Sequence, residues 1–393
     1  GLTGIRALNT STITNAGNLS ISMTGVAPTT APNESRNQGG DMTGLYVAGT
    51  DDSIISLSNK KNSKLDINVN VSNAAEGQTN GIRPYGMILS SHAKNEGTMD
   101  VTVTGNYGKV TSDYGVFAAM GFNIDGENAS KETALAHPRI ENSGLMKANV
   151  SFNAQGMTTT LDPAKAKGWA TGLNMHGTAT LVNSGTLQSK ATSTVNAKAA
   201  SIQGSELINN KDAAFEAEAT GNGSFAAALQ VGRPNADMVE IPSYVLNDVN
   251  GTLTLTAKSP IGSSYGIYES AGKVENKGML TVTAEGRDAN GISLSNEDLE
   301  RRDGSNPEFN NSGTLTVHAN ALETVPTMYH EAQALLLKTG SFVNSGTLDA
   351  FATASGLAEG MKISDASFTN QKGGILNLTV KSNQTVWQDG LAG

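Results

Sequence analysis

Apolar and polar residues alternate in short runs along nearly the whole chain, as in Thr252-Leu253-Thr254-Leu255-Thr256 and Thr281-Val282-Thr283-Ala284. A period of two sends successive side chains to opposite faces of a strand, so the pattern predicts β structure throughout. The runs are organised by a recurring motif, apolar-x-Asn-x-Gly-x-Leu/Met-x-apolar. It reads Ile13-Thr14-Asn15-Ala16-Gly17-Asn18-Leu19-Ser20-Ile21 first, and later Asn183-Ser184-Gly185-Thr186-Leu187, Asn311-Ser312-Gly313-Thr314-Leu315 and Asn344-Ser345-Gly346-Thr347-Leu348. Further copies surround Asn95, Asn142 and Asn276. Three copies, at Asn209, Asn247 and Asn370, hold two extra residues before the second strand, and a degenerate copy surrounds Asn59 and Leu65. The eleven copies are spaced unevenly, by 26 to 47 residues. A helical repeat array would hold its length more tightly; here the motif is constant and the connections vary.

A second motif, small-Gly-apolar-x-apolar, alternates with the first. Examples are Gly44-Leu45-Tyr46-Val47, Gly86-Met87-Ile88-Leu89, Tyr114-Gly115-Val116-Phe117, Gly172-Leu173-Asn174-Met175, Gly291-Ile292-Ser293-Leu294 and Gly360-Met361-Lys362-Ile363. Each repeat therefore carries a short strand ending in Asn, a Leu-x-Val-x-Ala strand and a Gly-Ile-x-Leu strand. Three strands per repeat predict an all-β fold, a right-handed single-stranded parallel β-helix of about eleven coils with variable loop insertions, and a single domain over 1–393. At about 4.8 Å per coil the rod is on the order of 50 Å long. The recurring Asn is expected to turn inward and bond corner backbone and its equivalents above and below, as in other stacked β structures. The Gly two residues on is expected to supply the positive φ of the corner.

Composition fits a thin rod better than a set of globules. The 393 residues would ordinarily make two or three domains, yet aromatics are 5% and glycines number 44. A narrow interior is filled by Ala, Val, Ile and Leu. The net charge of -9 and the scarcity of Lys and Arg speak against nucleic acid as a partner. No apolar run is long enough for a membrane-spanning helix. Without cysteine there is neither a disulfide framework nor a Cys-based zinc site. The chain opens without the n-region and h-region of a signal peptide and reads as a mature segment or fragment.

The Asn-Ser-Gly-Thr-Leu copies, the Gly-Ile-x-Leu strands and the loose coil length resemble the passenger domains of Gram-negative autotransporters, nearest to adhesins of the AIDA and antigen-43 type. The resemblance covers nearly the whole chain. It implies a bacterial cell-surface or released extracellular protein, exported by an outer-membrane translocator barrel in cis, expected after Gly393. It also implies a non-enzymatic adhesin that attaches to a host surface or matrix protein or glycan, or to itself on neighbouring cells. Passengers on this scaffold include proteases and esterases as well, so architecture is specified more sharply than function.

Chemistry-bearing motifs are sparse. Gly262-Ser263-Ser264-Tyr265-Gly266 matches G-x-S-x-G, but a nucleophile elbow needs a strand-to-helix turn, and Ser264 leads into a strand. His92, His137, His176, His318 and His330 form no metal-ligand spacing and read as solvated surface residues. The densest charge cluster, residues 297–303, reads as a solvated loop of mixed charge or a sugar-binding segment. No catalytic, cofactor or metal residues are assigned. Insertions at about 25–41, 121–137, 155–168, 232–243 and 295–308 mostly flank the Gly-Ile-x-Leu strands and are the better functional candidates. Trp169, beside one insertion, is either a stacking anchor for a sugar or protein or a packing residue; Trp387 reads as packing. Thr-x-Thr rows, such as Thr102 with Thr104 and Thr314 with Thr316, are expected to point outward and to be interrupted at Ala148, Ser189 and Ala350. Two alternatives to the adhesin stand beside it: a carbohydrate-active enzyme on the same fold, needing two facing carboxylates, and a stalk for an effector domain.

Overall fold

The computed structural model describes residues 1–27, 41–73, 83–109, 118–126, 137–155, 168–232, 243–296, 306–321 and 330–382. Among them there are 29 β-strands and no α-helix. The chain is a parallel β-helix. One coil runs through Thr180–Asn183, Thr186–Ser193 and Asn196–Gln203, and each of these strands pairs in parallel with its equivalents in the coils below and above. We call the three resulting sheets the Asn, Leu and Gly faces. Some strands continue round a corner: Thr252–Glu269 and Met279–Leu294 serve the Leu and Gly faces, while Glu331–Asn344 and Leu357–Asn370 serve the Gly and Asn faces.

The Asn of the repeat is the hinge between the Asn and Leu faces. Eleven residues, from Asn15 to Asn370, stack in register. In each of ten rungs the Nδ2 of one Asn donates to the Oδ1 of the next at 2.7–2.8 Å. The same Nδ2 donates its second proton to the carbonyl at the start of the next coil's Leu strand, at 2.9–3.1 Å. The nine Asn side chains between the two ends are at most 1% exposed. A buried amide is tolerated because both donors and the acceptor are satisfied. The inward Asn ladder expected from the repeat is present at all eleven positions.

The motif glycine has a different role from the one expected. Positive φ occurs at Gly168, Gly177, Gly204, Gly232, Gly272, Gly340 and Gly373, and at none of Gly17, Gly97, Gly144, Gly185, Gly278, Gly313 and Gly346. The motif glycines lie against the coil beneath. A Cβ on Gly144 would come within 3.0 Å of the Gly97 carbonyl oxygen, and one on Gly346 equally near that of Gly313. On Gly17, with no coil below, it would meet nothing within 4 Å. The requirement is close stacking, not handedness. Left-handed residues appear instead in the longer corners, at Asn62, Asp212, Asn250 and Gly373, each the third residue after a ladder Asn. Each corner closes with a hydrogen bond, as from Ser63 N to Lys60 O and from Gly251 N to Asp248 O. Asn and Asp tolerate this conformation better than most residues. The degenerate copy at Asn59 is thus a fourth long corner.

A second glycine column thins the rod. Gly44, Gly86, Gly121, Gly172, Gly266 and Gly291 align on the Gly face, with Ala199, Ala228 and Ala334 in the same column. A Cβ on Gly86 or Gly266 would collide with Val101 or Val282 from the opposite sheet. In the coil where Gly115 was expected to serve, Gly121 holds the place, in the strand Ala118–Asp125; residues 114–117 lie outside the described set. The core is one continuous column of Ala, Val, Leu, Ile and Met, with Phe152, Phe215, Phe309 and Phe342 inserted where space allows. Phe309 and Phe342 stack at 4.7 Å with planes 10° apart, repeating a side chain at the coil spacing.

Two paired substitutions test this account. Asn183→Ala leaves the buried Oδ1 of Asn209 without its donor and is expected to cost roughly 2–4 kcal/mol. Asn15→Ala is expected to cost less than about 1 kcal/mol, because Asn59 Oδ1 keeps the Ser63 hydroxyl. Gly144→Ala is expected to cost roughly 1–3 kcal/mol and Gly17→Ala almost nothing. Denaturant unfolding midpoints measure all four; equal losses within either pair would refute the ladder or the stacking argument.

Candidate functional site

The three faces are not equivalent. Each interruption between described residues adjoins a Gly-face strand. Five lie between a Leu-face and a Gly-face strand, after residues 27, 73, 109, 155 and 321; three lie between a Gly-face and an Asn-face strand, after 126, 232 and 296. The Asn-to-Leu corner, held by the ladder, is never interrupted. The expectation that insertions flank the Gly-Ile-x-Leu strands is met. Residues 121–125 belong to a strand, however, and 297–303 and Trp387 lie outside the described residues.

The Leu face carries outward polar columns. One runs Asp66, Asp100, Lys147, Gln188, Glu216, Thr254, Thr281, Thr316. A second runs Asn68, Thr102, Asn149, Lys190, Glu218, Thr256, Thr283, His318. Ala148, Ser189 and Ala350 do not interrupt these columns. They face inward, at most 3% exposed, in the core column of Val101, Ala217 and Val282. What breaks the threonine rows is charge, at Lys147, Lys190, Glu216 and Glu218. Ion pairs link neighbouring coils: Lys190 Nζ to Glu218 at 3.0 Å, Lys258 Nζ to Glu285 at 3.0 Å. Pairs this exposed contribute between zero and about 1 kcal/mol each, so they organise the surface more than they hold the rod.

A shallow depression of about 320 Å³ opens on this face, bordered by Lys147, Asn149, Gln188, Lys190, Glu216 and Glu218. It overlies a part of the core built from small residues. There the inward residues are Ala148, Ser189 and Ala217, and Ser189 Oγ donates across the interior to the Ala199 carbonyl. Small core residues let the sheet approach the opposite face, and long outward side chains wall the dip.

On the Gly face even outward positions are buried. Thr43, Asn123, Thr171, Ser201, Gln230, Ser293 and Gln333 alternate with core residues yet are each under 9% exposed. Trp169 lies on this face. Its ring meets Phe225 edge-on at 5.6 Å, and Phe225 in turn contacts Tyr265 and Tyr268. The Lys198 ammonium sits 4.1 Å above the Trp169 ring.

Ser264 is fully buried, in an inward column that is alanine in the other coils from Ala119 to Ala332 (Ala119, Ala170, Ala197, Ala226, Ala289, Ala332). A hydroxyl pointing into the core reaches no substrate, so the G-x-S-x-G match is incidental. The histidines are not all surface residues: His330 is 3% exposed, His176 lies 3.5 Å from Asp125, and His318 stacks on Phe351. Among the described residues no three His, Asp or Glu side chains are arranged to hold a metal ion.

The register also exposes a residue that local sequence does not distinguish. The inward column Val47, Leu89, Ile124, Met175, Ile202, Val231, Leu294, Leu337 contains one carboxylic acid, Glu269. It is 0% exposed. Its Oε1 accepts from the Glu308 backbone N–H at 3.2 Å, and its Oε2 has no partner. Burial raises its pKa well above the ordinary carboxyl value, outweighing that one hydrogen bond; the neighbouring Glu308 carboxylate adds to the rise.

Comparison of the chain with protein-family models, with curated proteins and with solved structures finds no match.

A folded-state pKa raised above the unfolded value means that the native state holds the extra proton. Stability from this group is complete below about pH 4 and is lost as pH rises toward the raised value. Glu269→Gln is therefore expected to gain on the wild type between pH 5 and pH 8, by roughly 1–3 kcal/mol at the upper end. Parallel unfolding curves at the two pH values check it; a constant difference would show that Glu269 does not titrate on folding.

Proposed function

We propose that the protein is a non-enzymatic adhesin, displayed at a bacterial cell surface or released from it, which attaches cells to a host or matrix ligand or to one another. The observation that carries this reading is the division of labour among the faces. A ladder-locked corner holds the rod, an extended sheet presents polar columns, and the long insertions lie beside the third face. Such a scaffold spreads contacts over many coils, and many weak contacts in series give avidity without a deep pocket. The resemblance to autotransporter passengers supports the same location and export route, with a translocator barrel in cis.

The enzyme reading has one observation in its favour, the two carboxylates Glu216 and Glu218 at the Leu-face depression. They are neighbours on a single strand and project the same way. Glycoside hydrolysis needs two carboxyl groups that flank the scissile bond. Glu218 is moreover engaged by Lys190, and Glu216 by Gln188.

Cells expressing the full-length protein are expected to settle faster and to retain more cells on at least one of a panel of coated surfaces. Lys190→Ala or Glu218→Ala alone is expected to lower retention less than about threefold, since no one contact dominates a distributed surface. Unchanged settling and adhesion on every surface would overturn the adhesive reading. Release of reducing ends from a glycan panel would favour the enzyme.

A further inference from the structure

Lys198 differs from the other lysines in being half-buried without a carboxylate; lysines such as Lys211, Lys372 and Lys381 also lack one but are exposed to water. Eight lysines of the described residues have a carboxylate partner. Lys198, half-buried on the Gly face of a chain with net charge -9, has none; its ammonium rests on the Trp169 ring at 4.1 Å. Two further polar groups on the same outward side are unpaired. Asn196, two residues before Lys198, is 0% exposed and its Nδ2 has no acceptor. Gln230, opposite Ser201 on the next strand and three residues along from Ala227, the partner of Lys198, is 3% exposed and its Oε1 has no donor. An unpaired buried polar group costs roughly 1–3 kcal/mol, so two on the outward side that carries this lone cation form an unfavourable arrangement that coil stacking does not require.

The three groups define what would satisfy them. Lys198 and Asn196 donate and need acceptors, while Gln230 Oε1 needs a donor. A bare carboxylate accepts from the first two but offers the third nothing. A hydroxyl beside a carboxylate supplies both, and a pyranose ring adds the apolar C–H face that packs on half-buried Trp169 and Tyr265. We propose that the Gly face around Lys198 is a binding subsite for a carboxylated sugar, a uronic or sialic acid unit of a surface glycan. This rests on the adhesive reading and specifies its ligand class. The carboxylate takes the Lys198 ammonium, and ring hydroxyls meet Asn196 and Gln230. Burial without a counter-ion pulls the Lys198 pKa down to about 8, and a bound anion stabilises the charged form. Affinity therefore falls as pH rises past that value.

The test uses the whole chain in titration calorimetry with a galacturonic acid tetrasaccharide and with sialyllactose. The controls are a neutral galactose tetrasaccharide and an acidic peptide. At least one acidic sugar is expected to bind, more weakly at pH 9 than at pH 7. Lys198→Gln is expected to weaken it at least tenfold, while Lys198→Arg retains most of the affinity. Lys94→Gln, on the Asn face, is expected to leave it unchanged, and circular dichroism confirms that each variant is folded. Failure of both acidic sugars to bind, equal binding of the neutral one, tighter binding of the peptide, or indifference to Lys198→Gln each overturns the proposal. Cells that adhere normally with Lys198→Gln would sink this subsite and leave the adhesive reading standing. Wild-type cells that adhere to nothing would sink the adhesive reading, while calorimetry on the purified chain still decides the subsite.

Discussion

The asparagine ladder is the constraint on which the rest of the molecule depends. A carboxamide has a donor end and an acceptor end, and a column of them is satisfied only if each member repeats the one below by pure translation. Ten consecutive rungs at 2.7–2.8 Å impose that translation at one corner of every coil. The rest of the coil is then free to differ in length. Spacing between ladder residues ranges from 26 to 47 residues, yet the loop-closure difference between those extremes is only about 0.5 kcal/mol. The long insertions consequently appear beside the Gly face, while the Asn-to-Leu corner varies by only two residues.

Stacking at this distance also dictates the interior. Motif glycines are needed because backbone lies on backbone, and the Gly-face glycines because opposing valines reach across a thin core. A rod so thin has little room for large side chains, which explains 44 glycines alongside 5% aromatics. Where an aromatic does enter the core it is best placed over another, as Phe342 is over Phe309, since a like shape one coil away leaves no void.

The ladder and the three strand types were legible in the sequence because the same constraint recurs at every coil and writes the same letters each time. The glycine's reason was not: a positive φ and a crowded Cβ both select glycine, and only the coil beneath Gly144 and the open space beneath Gly17 separate them. The sidedness of Ala148 and Ser189 was lost by one residue of parity, which in a strand exchanges core for solvent. The odd residues, Glu269 and Lys198, could not be seen locally at all. Glu269 becomes unusual only when aligned with Val231 below and Leu294 above, and Lys198 only when its neighbours across the stack prove to be Thr171 and Ala227. Those partners lie 25 to 38 residues away at unequal spacing, so no sequence window holds the comparison.

Solenoids distribute stability as coil terms and nearest-neighbour terms, so a defect in one coil weakens its neighbours and little else. This changes how unfavourable residues should be read. In a globular core a half-satisfied buried carboxyl such as Glu269 would threaten the whole fold; here its effect stays within a few coils. The rod can carry such residues, but nothing about stacking asks for them: Leu at 269 or Thr at 198 would repeat a neighbouring coil and relieve the burial. Departures from a column rule in a repetitive protein therefore separate residues that serve the scaffold from those that serve something else. The unpaired amine of Lys198 and the amides of Asn196 and Gln230 belong to the second kind, and they share the face beside which the long insertions lie.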